Sequence, residues 1–246
     1  MKITLFKTLI FIFATTGIIS FILFQNNSIT TSYYNFKNDN NPDKSIRIVQ
    51  LSDLHGKEFG SGNFKLVKKV KELNPDIIFI TGDWIDEKTA NIEAFVRTLK
   101  ELDDAAPVYY IPGNHEYWSD KITILKETLS GYDLEIIQNR IMELEIYGTL
   151  INVLGLDEVD ISSGSVEQAD LFNQLKSKTG LKIVLSHYPE NYSLIGKSSY
   201  MYHEFDLMFS GHAHGGQFIL PFIGGVYSPG QGFLPKYTQG IHENPK

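Results

Sequence analysis

From Ser45 onward the chain alternates short, almost continuously apolar runs with longer segments of helical spacing, and each apolar run closes on a polar cluster. The run IRIVQLS ends at DLH, DIIFIT at GDW, PVYYI at PGNHE, LKIVLS at HYPE and FDLMFS at GHAHGG. Continuity rather than alternation predicts strands covered on both faces. In GNFKLVKKVKELNP, Phe64, Val67, Val70 and Leu73 recur at helical spacing among lysines, with Pro75 just beyond, so an amphipathic helix with a stop is expected there. Between Glu135 and Leu156 the pattern changes to strand, turn, strand with Gly148 at the hairpin, which predicts a second sheet. The class is α/β, with the polar clusters at the carboxyl ends of strands, where open α/β sheets place their sites.

The N-terminal segment follows another rule. Thr8 to Phe24 carries no charge, Lys2 and Lys7 precede it, and polar residues follow at once. A bilayer-spanning helix is expected over 1–25 if Lys7 snorkels, and without an A-x-A site after the apolar run an uncleaved anchor is the preferred reading over a signal peptide. The lysines favour a cytoplasmic N-terminus, which places a single-pass protein in the cell membrane with its main domain outside the cytoplasm. Residues 26–45, rich in Asn, Ser, Thr and Asp, read as a linker, and 46–246 as one domain of ordinary size.

Composition narrows the chemistry. The net charge of -7 over 246 residues offers no basic footprint for nucleic acid. Cysteine is absent, which leaves His, Asp, Glu and Asn as the strong metal ligands. Nothing points to an oligomer, and a monomer is expected.

The strand tips collect Asp53, His55, Asp83, Asn114, His115, His187, His212 and His214, an oxygen and nitrogen set suited to Mn, Fe, Zn or similar divalent ions. Asp53 and His55 stand two apart, as do His212 and His214, so each pair can face one side of the chain. Singly, each has a plainer reading: His212 and His214 as turn residues, Asp83 as a loop aspartate, Asn114 as a helix N-cap, His187 as a structural histidine. Convergence at five tips outweighs those readings. His203 and His242 lack that context and are expected to be structural or surface residues. Trp84, Tyr117, Trp118 and Tyr188 adjoin the motifs and serve either as pocket walls or as packing. The apolar stretches FILPFIGG and GFLP can be walls of the site, a surface that meets lipid or packed strands; packing is the expectation, since large exposed apolar patches are rare.

In this order the motifs DLH, GDW, GNHE, SHYPE and GHAHGGQ resemble the calcineurin-like metallophosphoesterase superfamily, and within it the membrane-associated YkuE/YaeI-like group. The resemblance runs from about Ile46 to Gln217. It implies a four-layer α/β/β/α sandwich of two mixed sheets and a centre of two divalent ions. One ion would be held by Asp53, His55 and His214, the other by Asn114, His187 and His212, with Asp83 bridging. His115 would be the catalytic acid at the leaving oxygen, and Glu116 an acid that orients a neighbouring histidine. The implied reaction is hydrolysis of a phosphoester or pyrophosphate at the membrane or cell envelope, a lipid pyrophosphatase of the UDP-diacylglucosamine type being the alternative within the class. A non-catalytic, membrane-tethered metal-binding protein is the alternative outside it. Family members carry further strands after the last motif, so a shortened sheet edge is expected here.

Overall fold

The computed structural model describes residues 2–37, 45–132, 134, 136–162, 167–193, 199–217, 219–220 and 222–243. It divides into two units, 1–33 and 34–246. The first is helix α1, Lys2–Asn27, whose segment Phe6–Asn27 is long and apolar enough to cross a membrane. Inside it Thr15 Oγ1 donates to the Phe11 carbonyl and Asn27 Nδ2 to that of Leu23, so these polar side chains find partners on their own helix, as an apolar surrounding demands. Of the expected linker, 28–37 has no regular structure, and 38–44 lies outside the described residues.

The second unit holds two sheets face to face. Strands β1 (Ile48–Leu51), β2 (Ile77–Thr81) and β3 (Val108–Ile111) form a parallel sheet in that order. Strands β4 (Arg140–Ile146), β5 (Thr149–Gly155), β6 (Leu181–Leu185) and β7 (Leu207–Phe209) form the other, antiparallel between β4 and β5 and parallel thereafter. The expected hairpin is β4–β5, turning at Tyr147 and Gly148, both with positive φ (51° and 76°), the backbone a tight two-residue hairpin requires. Its first strand begins later than the apolar pattern placed it: Glu135 lies outside the described residues, and Ile136 bridges to Tyr110 instead. The last two tip strands join this hairpin rather than the first three, so the five tips come from both sheets.

Ile77, Phe79 and Ile111 of the first sheet meet Ile151, Val153, Ile183 and Leu185 of the second in one fully buried layer, with Ile137 at its edge. A Cβ on Gly155 would stand 2.5 Å from Ile137 Cγ2 and 3.0 Å from Ile111 Cγ2, so glycine is what lets the sheets close there. The outer face of the first sheet is covered by α2 (Phe64–Leu73), α3 (Ile92–Asp103) and α5 (Ile122–Ser130), which bury Leu66, Val67, Val70, Phe95, Val96, Leu99 and Leu125. The buried face of α2 is Leu66, Val67 and Val70; Phe64, expected on it, is exposed. The outer face of the second sheet takes α6 (Gln168–Lys176) through Leu171, Phe172 and Leu175. His203 stacks on Phe172 at 4.1 Å and His242 lies edge-on to Tyr237, both structural contacts as expected.

After β7 the chain makes two small hairpins, β8 (Ile219–Leu220) with β9 (Gly224–Gly225) and β10 (Tyr227–Ser228) with β11 (Gly232–Phe233). Here the packing expectation fails: Ile219, Leu220, Phe222, Ile223, Phe233 and Leu234 are all exposed. These strands are two residues long and join neither main sheet, so no core face takes their side chains.

Candidate metal centre

The seven expected ligands converge where the carboxyl ends of the two sheets meet. Asp53 and His55 follow β1, Asp83 follows β2, Asn114 opens the short helix α4 (Asn114–Trp118) after β3, His187 follows β6, and His212 and His214 follow β7. Asn114 is the first residue of α4; the cap is Gly113, so the reading of Asn114 as an N-cap does not hold and its side chain is left for the site. Hydrogen bonds across the seam fix the tips to one another. Gln50 Nε2 donates to Thr81 Oγ1 and to the Ser210 carbonyl, both at 2.8 Å, and the His212 amide donates to Asp53 Oδ1 at 2.9 Å. Asp53, His55, Asp83, His212 and His214 all adopt left-handed backbone (φ 55°, 49°, 53°, 63° and 48°). For residues with a Cβ that conformation costs on the order of 1 kcal/mol each, and its concentration at one site marks a functional constraint.

Glycines permit the crowding. A Cβ on Gly113 would lie 2.3 Å from Asp83 Oδ1, and one on Gly211 2.0 Å from Ser52 Oγ and 2.8 Å from Asp53 Oδ2.

The donor atoms fall into two groups. Asp53, His55, Asp83 and His214 form one, and Asp83, His187 and His212 the other; within each, the ligand atoms lie within 4.8 Å of one another, and Asp83 belongs to both. In the first, His55 Nε2 faces His214 Nε2 at 3.2 Å and Asp83 Oδ2 at 3.7 Å. In the second, His187 Nε2 is 3.2 Å from Asp83 Oδ2 and 3.1 Å from Asn114 Oδ1, which adds Asn114 to the group. His187 Nδ1 faces the Thr81 carbonyl at 2.8 Å, a partner that needs the proton on Nδ1 and so turns Nε2 to the site.

The set fits divalent ions. His212 Nδ1 is buried without a hydrogen-bond partner, an arrangement that native interiors avoid unless something else meets that atom, and Asp83 Oδ2 faces the His187 and His55 rings at 3.2 and 3.7 Å. Burial, and next the charge of His187, lowers the His212 imidazole to about 3; burial also lowers His55, with Asp83 opposing. Both therefore present a lone pair at neutral pH. Burial alone would raise the Asp83 carboxyl, but its hydrogen bond to His187 and that ring's charge hold it well below the usual range.

Two buried carboxylates brace these loops. Glu116 accepts from the amides of Asp83 (3.0 Å), Trp84 (2.7 Å), Ile85 (3.2 Å) and Gly113 (2.8 Å) and from the Tyr110 hydroxyl (2.8 Å). It therefore braces backbone rather than orienting a histidine, which corrects the role the resemblance implied. Glu158 does the same on the other sheet, accepting from the amide of His187 (2.8 Å), the hydroxyls of Ser186 and Tyr200 and Asn191 Nδ2. The sequence reading missed Glu158; its one signal was the Asp157–Glu158 pair that closes the mainly apolar run LINVLGL. Glu190 also went unassigned: its Oε1 lies 3.9 Å from His212 Nε2.

Around the mouth, the His115 ring lies edge-on to His55 at 4.5 Å and against the exposed Trp118 at 5.2 Å. Tyr188 packs on His212 at 4.5 Å. Trp84 is core, wholly buried with its indole nitrogen donating to the Phe95 carbonyl, and Tyr117 donates to the Asp157 carboxylate.

Parallel and mixed sheets back to back, with their carboxyl tips interleaved around an Asp/His/Asn cluster, define a metallophosphoesterase fold. The chain belongs to the calcineurin-like phosphoesterase family, whose profile matches residues 46–216. It is 30% identical over 184 residues to an uncharacterised metallophosphoesterase of Helicobacter pylori, covering 73% of this chain and 47% of that protein. It is 28% identical over 203 residues to the metallophosphoesterase YkuE of Bacillus subtilis, covering 80% and 68%. A transmembrane protein with metallophosphoesterase domain from Danio rerio is 26% identical, over 79% of this chain and 48% of that one. Among solved structures the NAD nucleotidase of Haemophilus influenzae superposes with a TM-score of 0.50 at 17% identity, over 69% of this chain and 38% of that one, a likeness of fold. The chain spans about half the length of the first curated relatives it matches.

Proposed function

We propose that this chain is a membrane-attached hydrolase of phosphoric esters that works with two divalent ions. The observation that carries the reading is Asp83, a single buried carboxylate common to two ligand groups. Asp53, His55 and His214 would hold one ion, Asn114, His187 and His212 the other, and Asp83 both. Bound there, such ions supply positive charge for the phosphoryl oxygens and a water acidic enough to attack phosphorus near neutral pH.

The rest falls to the chain's own groups. Thr81 keeps the His187 proton on Nδ1, and Asp53 is held by the His212 amide, so these ligands are set before substrate arrives. His115 has its amide tied to Asp83 Oδ1 at 2.8 Å and its ring at the mouth, where Nδ1 or Nε2 can deliver a proton to the leaving oxygen. The membrane-length helix α1 supports attachment to a bilayer, and a phosphoester or lipid-linked pyrophosphate at the cell envelope is the substrate class this favours.

The test is hydrolysis by the full chain in detergent with Mn added, on p-nitrophenyl phosphate, bis(p-nitrophenyl) phosphate and a diacylglucosamine-UDP pyrophosphate. Expected is turnover of at least one of them, abolished in Asp83→Asn and reduced roughly 10²–10⁴-fold in His115→Ala, the range for a lost general acid. Turnover of none, or turnover indifferent to Asp83, would remove the reading.

A further inference from the structure

The two small hairpins after β7 are a built surface. The Val226 amide donates to the Gly216 carbonyl at 3.2 Å and the Leu234 amide to that of Val226 at 2.9 Å, which ties both hairpins to the turn that carries His214. A Cβ on Gly216 would meet Gly225 Cα at 2.5 Å. Gln231 and Tyr237 are joined reciprocally, Nε2 to the Tyr237 carbonyl at 2.7 Å and the Tyr237 amide to Oε1 at 2.8 Å. A Cβ on Gly230 would stand 1.8 Å from Glu190 Oε1, so the second hairpin lies directly on the site's edge.

On this fixed backbone the apolar side chains point to solvent. Phe222 is fully exposed, Phe233 is 80% exposed, and Ile219, Leu220, Ile223 and Leu234 are exposed beside them. Gln217 to Pro235 contains no Asp, Glu, Lys or Arg, and Lys236 ends the run. A protein partner of a soluble enzyme usually meets an apolar centre with a polar, charged rim. An uncharged stretch with Phe, Ile and Leu at its turns and a lysine at its border instead has the composition of a segment that enters the acyl boundary of a bilayer. The same chain begins with a helix able to cross a membrane, and 28–45 reaches at most on the order of 60 Å when extended, so the second unit stays within reach of that lipid.

We propose that the tips Phe222 and Leu234 seat in the surface of the bilayer that α1 enters, turning the mouth of the metal centre to the headgroup layer. The docking stands apart from catalysis. Its consequence for substrate, a phosphoester or pyrophosphate carried on a lipid, rests on the hydrolase reading above.

Because the chain has no cysteine, single nitroxide labels test the docking without regard to hydrolysis. Phe222→Cys, with Leu234→Cys as a second reporter should the first fail to fold, is compared with Lys68→Cys on the solvent side of α2, in full chain reconstituted into phosphatidylethanolamine and phosphatidylglycerol vesicles. Expected is relaxation of the tip label by oxygen and protection from a water-soluble nickel chelate, with the reverse at position 68. A tip label as open to nickel as the one at 68 overturns the proposal. So does a tip label shielded from both reagents whose spin–spin broadening disappears on dilution with unlabelled chain, which would assign the surface to a second copy.

Discussion

Asp83 and His187, from tips on different sheets, face each other at 3.2 Å with both side chains almost wholly buried. Burial alone would lower the imidazole, but the hydrogen bond and charge of Asp83 outweigh it and raise His187 to about 10. With His187 protonated the two form an ion pair within one of the ligand groups.

The first prediction follows from that pair. A histidine ligand must give up its proton from the ligating nitrogen, and His187 keeps its proton up to about pH 10. Loading at pH 8 should therefore release a proton from this residue, and affinity should climb with pH, by up to about tenfold per unit, until it levels near 10. Calorimetry in two buffers of different ionisation enthalpy measures the release. The metal-free fold has the opposite slope: the raised histidine contributes fully below its unfolded value near 6.5 and the contribution fades as pH rises through 10. The chelated protein should lose stability over that window while the loaded protein does not.

Gly211→Ala tests the crowding at the last tip. Its Cβ would meet Ser52 Oγ at 2.0 Å and the Thr81 carbonyl and Asp53 Oδ2 at 2.8 Å. Overpacking of this kind costs about 1–3 kcal/mol, and because Asp53 must move off the His212 amide, metal affinity should fall together with the melting temperature. Retained affinity in a destabilised variant would show that Asp53 has another place to stand.

The two bracing glutamates should respond alike. Replacing either carboxylate by an amide puts an NH2 group against donors already in place, at a cost of roughly 1–3 kcal/mol for an unsatisfied buried group. Glu116→Gln and Glu158→Gln are each expected to lower the melting temperature by several degrees and to weaken metal binding about 10–100-fold, as partners behind ligands commonly do. A variant with lower stability but unchanged metal affinity would reduce its glutamate to a fold element.

Metal removal supplies the fourth. An ion held at 100 times its dissociation constant adds about 2.7 kcal/mol, so chelation should lower the melting temperature measurably, and Asp83→Asn should show little further change on chelation.

Much of this was legible before the structure. The run DIIFIT reads as a covered strand, and Ile77 to Thr81 is buried at every position, so its polar tip stands out; the edge strands β1 and β7 read the same way but are only half-buried. The pairing of β6 with the hairpin was not legible, since Ile183 and Ile77 look alike in sequence although they belong to different sheets. Glu116 and Glu158 leave no periodic signal; their meaning lies in which amides converge on them. Phe222 and Phe233 misled in the other direction, because an apolar residue is read as buried until the backbone shows nothing above it.

The seam between the sheets has a consequence for how the chain can be divided. Asp53, His55, Asp83 and Asn114 all precede the hairpin β4–β5, and His187, His212 and His214 all follow it. A cut near Gly148 would leave neither piece with all the donors of either ligand group. Metal capture by the two fragments together, and by neither alone, would then report reassembly of the apolar layer between the sheets, so that an inorganic ion becomes the indicator of a hydrophobic interface.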